Sequence, residues 1–132
     1  MTRARRRAPE VKPRIRILWG DEIAFGPGKA DLLAAIADTG TIAGAARQLG
    51  MSYMRAWSLV RTMNQCFRAP LVDASRGGGS GGGAALTSTG REVLALYRRM
   101  ETASLRSIES EWVRFRRFLG AANPGRSSRT ER

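Results

Sequence analysis

Five residues in the middle of the chain have side chains suited to recognition: Tyr53, Arg55, Ser58, Arg61 and Thr62. Between them, at steps of three and four, fall Ala56, Trp57, Val60, Met63 and Phe67. That spacing puts the apolar set on one face of a helix. The phenol, the two guanidiniums and the hydroxyls then stand on the opposite face, as hydrogen-bonding groups on a rigid rod. Catalytic chemistry finds little support. With 0 histidines the chain lacks the commonest general base and metal ligand. No paired-cysteine metal spacing or nucleophile–base constellation is present. Asp21 and Glu22 are adjacent carboxylates in a turn and read as solvated, and Glu109 and Glu111 fall on a mostly exposed helix face. The single cysteine, Cys66, ends an apolar stripe beside Phe67 and is expected to be buried rather than redox-sensing. No enzyme and no cofactor is expected.

The rod needs a partner to position it. The stretch Thr41 to Leu49 carries Ile42, Ala45, Ala46 and Leu49 on one side, Gly50 breaks the pattern, and Ser52 can cap the next helix. Two helices joined by a turn with glycine form a helix-turn-helix, whose second helix enters the DNA major groove. The small pair Ala45-Ala46 suits the crossing of the two helices. An ordinary αα-hairpin would show the same spacing.

Composition favours the first reading. The 132 residues hold 42% apolar side chains, enough for one modest core with tails, and carry a net charge of +12. Such a charge suits a polyanion, because each neutralised phosphate releases counterions. Membrane surfaces compete for that role, but no apolar run of about 18 residues exists, and no h-region follows the basic N-terminus. A cytoplasmic, nucleoid-associated protein is expected. Only Lys12 and Lys29 are lysine; the other basic residues are arginine, which suits bidentate contacts to phosphate and guanine.

In chain order, residues 1–13 read as a disordered basic arm. Arg14 to Trp19 alternates as a strand, and Ile23 to Phe25 pairs back across Gly20-Asp21-Glu22. Pro27 opens a helix over Lys29 to Thr39, with Leu32, Leu33, Ile36 and Ala37 on its core side and Gly40 as its stop. Thr41 caps the next helix. After Phe67, Leu71 to Ala74 and Ala84 to Thr87 read as two short strands flanking the low-complexity SRGGGSGGG of residues 75–83: a β-wing, with a plain flexible linker as the rival. No lysine is placed for a phosphate-binding P-loop. Arg76 is the one charge in that loop. Ser88 or Thr89 opens a helix to about Leu119, marked by Val93, Leu94, Tyr97, Met100, Ile108, Trp112, Phe115 and Leu119. Unbroken it would run about 45 Å, too long for one small core to cover, so a second copy is the expected partner. Ser104, Ser107 and Ser110 weaken its middle, a point for a bend or break, and a helix folded back on its own domain in two pieces is the alternative to a dimer. Residues 120–132 read as a disordered tail. The fold class is therefore mainly α with a small β-wing: a winged helix-turn-helix over 14–87 and a long dimerisation helix over 88–119.

These residues resemble the N-terminal DNA-binding domain of the ModE molybdate-responsive regulators, which is related to that of LysR-type regulators. The resemblance rests on Gly40-Thr41-Ile42 with Ala45-Ala46, on GMSYMRAW at 50–57, on Met63-Asn64, on Pro70-Leu71-Val72, on SRGGGSGGGAALTSTG at 75–90, and on Tyr97. It covers about Arg14 to Met100. It implies a homodimer on a pseudo-palindromic double-stranded operator, with the helix 52–65 in the major groove and the wing on the backbone or minor groove. Ser52, Tyr53 and Arg55 would be groove contacts. With Thr41, Met54, Ser58, Arg61 and Arg76 they make up the expected DNA-binding set. Ser80 stands where that family usually carries a basic wing residue. Nothing matches the oxyanion site of ModE's molybdate domains, so direct molybdate sensing by this chain is not expected. A nonspecific architectural DNA-coating protein is the alternative; an interaction protein that no longer binds DNA is a third.

Overall fold

The computed structural model describes residues 8–74 and 83–121. The wing tip, with Arg76 and Ser80, lies outside the described residues. The chain divides into two compact units, Arg14–Thr102 and the segments on either side of it.

Arg14–Thr102 begins with an antiparallel hairpin of β1 (Ile17–Trp19) and β2 (Glu22–Phe25). Ile17 pairs with Phe25 and Leu18 with Ile23, with a register shift between them. Strand β1 starts three residues later than the alternation from Arg14 suggests. Next come α1 (Pro27–Thr39), α2 (Ile42–Leu49) and α3 (Tyr53–Cys66). Proline occupies the first turn of α1, where its missing N–H costs nothing. Gly40 at φ 77° and Gly50 at φ 68° take the left-handed backbone that ends α1 and α2.

The core is the three-helix packing expected from the periodicity. It joins Leu32, Leu33 and Ile36 of α1 to Ile42, Ala45 and Ala46 of α2 and Ala56, Val60 and Met63 of α3. Ala37 is a correction. It is exposed in the last turn of α1, while Ala30 and Ala35 are buried. Helix α1 is covered from more than one side, so its buried arc is broader than a single stripe. Cys66 is another correction: it is half-buried at the end of α3.

Strands β3 (Val72–Asp73) and β4 (Ala85–Leu86) pair antiparallel, Val72 with Leu86 and Asp73 with Ala85. Asn64 of α3 holds this wing stem. Its side-chain oxygen accepts from the N–H groups of Leu71 (2.8 Å) and Val72 (3.2 Å), and its amide donates to the Val72 carbonyl (3.1 Å). The Ala84 N–H donates to the Gly40 carbonyl at 2.8 Å, returning the wing to the start of α2.

Helix α4 (Ser88–Ser107) starts under a cap from Thr87, whose hydroxyl accepts from the Gly90 N–H (2.9 Å) and donates to the Pro70 carbonyl (2.7 Å). Gly90 is required here, because a Cβ would collide with the Leu71 carbonyl. Tyr97 of α4 is buried; its ring meets Phe25 edge-on at 5.1 Å and its hydroxyl donates to the Ile15 carbonyl at 2.6 Å. Arg98 pairs with Asp31 of α1 (3.5 Å) and with Glu101 (3.1 Å).

The helix expected to reach about Leu119 is broken among the serines that weaken its middle. Helix α4 ends at Ser107, and α5 (Glu109–Phe115) follows, with a 3-10 turn at Arg116–Phe118. At the break the Ser107 hydroxyl donates to the Ser104 carbonyl (2.9 Å), and the Ile108 N–H reaches back only three residues, to Leu105 (3.3 Å). Serine competing for its own helix's carbonyls weakens helices in this way.

Two outcomes follow for the folded unit. Asn64→Ala strands two N–H groups and a carbonyl at the wing stem and lowers unfolding free energy by about 3 kcal/mol, measured by urea denaturation. Burial, and then the charge of Glu101, raise the Tyr97 phenol above its ordinary 10.0. A raised folded value contributes stability that is complete below pH 10 and is lost as pH climbs through the folded value. Tyr97→Phe removes that alkaline loss from the pH profile of thermal unfolding, at a cost near neutrality of about 1 kcal/mol for the bond to Ile15.

Candidate nucleic-acid interface

Helix α3 forms because its apolar residues repeat at helical spacing and Ser52 caps it: the Ser52 hydroxyl oxygen accepts from the Arg55 N–H at 3.0 Å. With Ala56, Val60 and Met63 locked in the core, the turn of 100° per residue fixes what points outward. Met54, Ser58, Arg61 and Gln65 form the line directly opposite the core, and all four are exposed. Arg55 is exposed on one flank of that line. Tyr53 is on the other flank, 52% exposed, with its ring edge-on to Trp57 at 6.4 Å. Met54, 76% exposed, is among the most exposed large apolar side chains.

The expected site residues therefore separate into kinds. Tyr53, Met54, Arg55, Ser58 and Arg61 share one presented surface. Ser52 is exposed at its edge but has its side-chain oxygen in the cap bond. Thr41 is half-buried, and its hydroxyl oxygen accepts from the Gly44 N–H at 2.8 Å as the cap of α2. The Thr62 hydroxyl donates to the Ser58 carbonyl (3.1 Å), so it is spent on its own helix. Arg76 lies outside the described residues.

Two residues were missed by sequence reasoning. Gln65 completes the 54–58–61 line, and the step of four from Arg61 was there to find it. Arg47, exposed in the last turn of α2, lines a depression of about 310 Å³ with Thr41, Tyr53, Trp57 and the wing-stem residues Ala74 and Gly83. Only the three-dimensional crossing of α2 and α3 brings Arg47 there.

Lys29 is not part of this surface. It is buried in α1 and its ammonium donates to the Ile23 carbonyl. Burial lowers its pKa from the usual 10.5, and Cys66 and Glu22 partly oppose that. Among the described residues no group of three or more His, Cys, Asp or Glu could hold a metal ion, and no helix is long and apolar enough to cross a membrane. The arrangement is an exposed polar helix face beside a two-stranded wing stem, suited to recognition by contact.

Residues 29–91 match the model of the bacterial regulatory helix-turn-helix protein, lysR family. The chain is 44% identical over 86 residues to the molybdenum-pterin-binding protein MopB of Rhodobacter capsulatus, covering 65% of this chain and 32% of that one. It is 44% identical over 78 residues to the molybdenum transport protein ModE of Azotobacter vinelandii, covering 59% and 29%. It is 41% identical over 71 residues to the DNA-binding transcriptional dual regulator ModE of Escherichia coli (strain K12), covering 54% and 27%. The match thus spans about a third or less of each curated relative. Among solved structures, the CbnR_DBD–DNA complex superposes with a TM-score of 0.52 at 22% identity, over 65% of this chain and 93% of that one, a likeness of fold. Over residues 29–91 the chain is similar to the regulatory helix-turn-helix proteins of the bacterial lysR family, and the curated relatives it matches are ModE and Mop molybdenum proteins.

Proposed function

We propose that the chain is a sequence-specific DNA-binding transcriptional regulator that acts as a homodimer on a pseudo-palindromic operator, in the control of molybdenum- or oxyanion-related genes. The observation that carries this is the exposed face of α3, with Met54, Ser58 and Arg61 in line, flanked by Tyr53 and Arg55, on a helix locked to the core along its other side. A helix presented in this way fits the width of the major groove. In this reading Arg47 and Tyr53, which line the depression beside the wing stem, take a backbone phosphate. The molybdenum connection comes from the curated relatives' names.

In this reading residues 1–13 act as a basic arm. Residues 14–87 read DNA, with Arg76 and the rest of the wing against the backbone or minor groove. Residues 88–119, divided between α4 and α5, carry dimer contacts, and 120–132 form a tail. The apolar side chains of Ile108, Val113, Phe115, Phe118 and Leu119, all exposed, support the dimer. The charge of +12 favours a second reading, an architectural protein that coats DNA without sequence preference.

The two readings separate in a footprint on the chain's own upstream DNA across a salt series. The regulator protects two half-sites about one helical turn apart and still does so at physiological salt. Smooth coverage that vanishes with salt would establish the coating protein instead. In the same assay Arg55→Ala costs about 1–3 kcal/mol at one base position and relaxes discrimination there.

A further inference from the structure

The β1–β2 hairpin is apolar on both faces. Leu18 and Ile23 are cross-strand partners on one face; Ile17 and Trp19, two residues apart, share the other. A hairpin that only covered its own core would bury one face and wet the other. Here Leu18 is 67% and Trp19 69% exposed, and Ile17 and Ile23 are exposed as well. Among the described residues none covers them.

The occupant follows from charge and position. The hairpin turn carries Asp21 and Glu22, and no basic residue occurs between Ile17 and Gly28. An acidic tip repels DNA phosphate and anionic lipid alike. Phe25, at the foot of the hairpin, packs edge-on against Phe67, just past the C-terminal end of α3 (6.0 Å). The presented face of α3 begins at Tyr53, about 20 Å away along the helix axis. The hairpin therefore suits a basic, apolar protein surface rather than the nucleic acid.

This chain has such a surface. Leu96 and Met100 of α4 are exposed one helical turn apart, with the exposed Arg99 beside them. They flank Tyr97, whose hydroxyl holds Ile15 at the root of β1. One molecule thus carries both halves of an isologous contact. The exposed apolar area of the hairpin and the α4 stripe is on the order of 500 Å², over half of the roughly 800 Å² each partner gives to a standard interface.

We infer that the β1–β2 hairpin is a dimerisation arm: its apolar tip docks on the Leu96–Met100 stripe of a second copy, with Asp21 and Glu22 facing the partner's Arg99. This rests on the homodimer proposed above and names a contact site for it besides α5.

Sedimentation equilibrium of the full chain tests the arm. The wild type is expected to be dimeric. Leu18→Ser with Trp19→Ser raises the dimer dissociation constant about tenfold or more, with circular dichroism and melting of the monomer unchanged, since both side chains are exposed. Glu22→Arg weakens the dimer too, and adding Arg99→Glu restores it. Hairpin variants that dimerise like the wild type, while Trp112→Ser with Phe115→Ser dissociates, would overturn the arm and leave the dimer standing. A wild type that stays monomeric at every concentration would overturn both.

Discussion

The Asn64 side chain is the constraint on which the arrangement of the presented face of α3 depends. One amide satisfies three backbone groups of the wing stem. It fixes the distance and angle between α3 and β3. Strand β3 pairs with β4, the residue before β4 donates to Gly40, and Gly40 leads into the cap of α2. From α2 the chain returns through Gly50 and Ser52 to α3. The hydrogen bonds and the chain together close a circuit around the face that α3 presents. A polar side chain in the last turn of a helix thus sets the geometry of a surface at the helix's other end.

Three hydroxyls serve as helix caps along this circuit: Thr41 for α2, Ser52 for α3 and Thr87 for α4. A cap contributes about 1 kcal/mol. Thr41 and Ser52 therefore couple any contact with DNA to the stability of the helices that make it, whereas Met54, Arg55, Ser58 and Arg61 carry no such load. Substituting the first pair changes folding and binding together. Substituting the second set reads binding alone.

Much of the fold was legible because it is local. The periodicities of α1, α2 and α3, the glycines that stop the first two, and the short strands beside the wing are written within a few residues of one another. The presented face of α3 followed from the same arithmetic, apart from Gln65. What was not legible depends on partners distant in sequence. Ala35 is buried and Ala37 exposed because of what packs around α1. Asn64 reads as one polar residue in a helix until β3 arrives beside it. Arg47 joins Tyr53 only through the crossing of α2 and α3. The serines at 104, 107 and 110 signalled a weak point, and the break falls where the Ser107 hydroxyl donates to the Ser104 carbonyl. The two-sided exposure of the hairpin was hidden because alternation predicts one wet face and one dry one.

The central claim is that α3 meets nucleic acid through its first three turns while the hairpin stays clear of it. Backbone amide chemical shifts of the full chain, followed by NMR during titration with its own upstream duplex, test this residue by residue. The account predicts the largest changes from Ser52 to Arg61 and none beyond noise from Ile17 to Phe25. Changes concentrated in the hairpin, with the first turns of α3 silent, would contradict it.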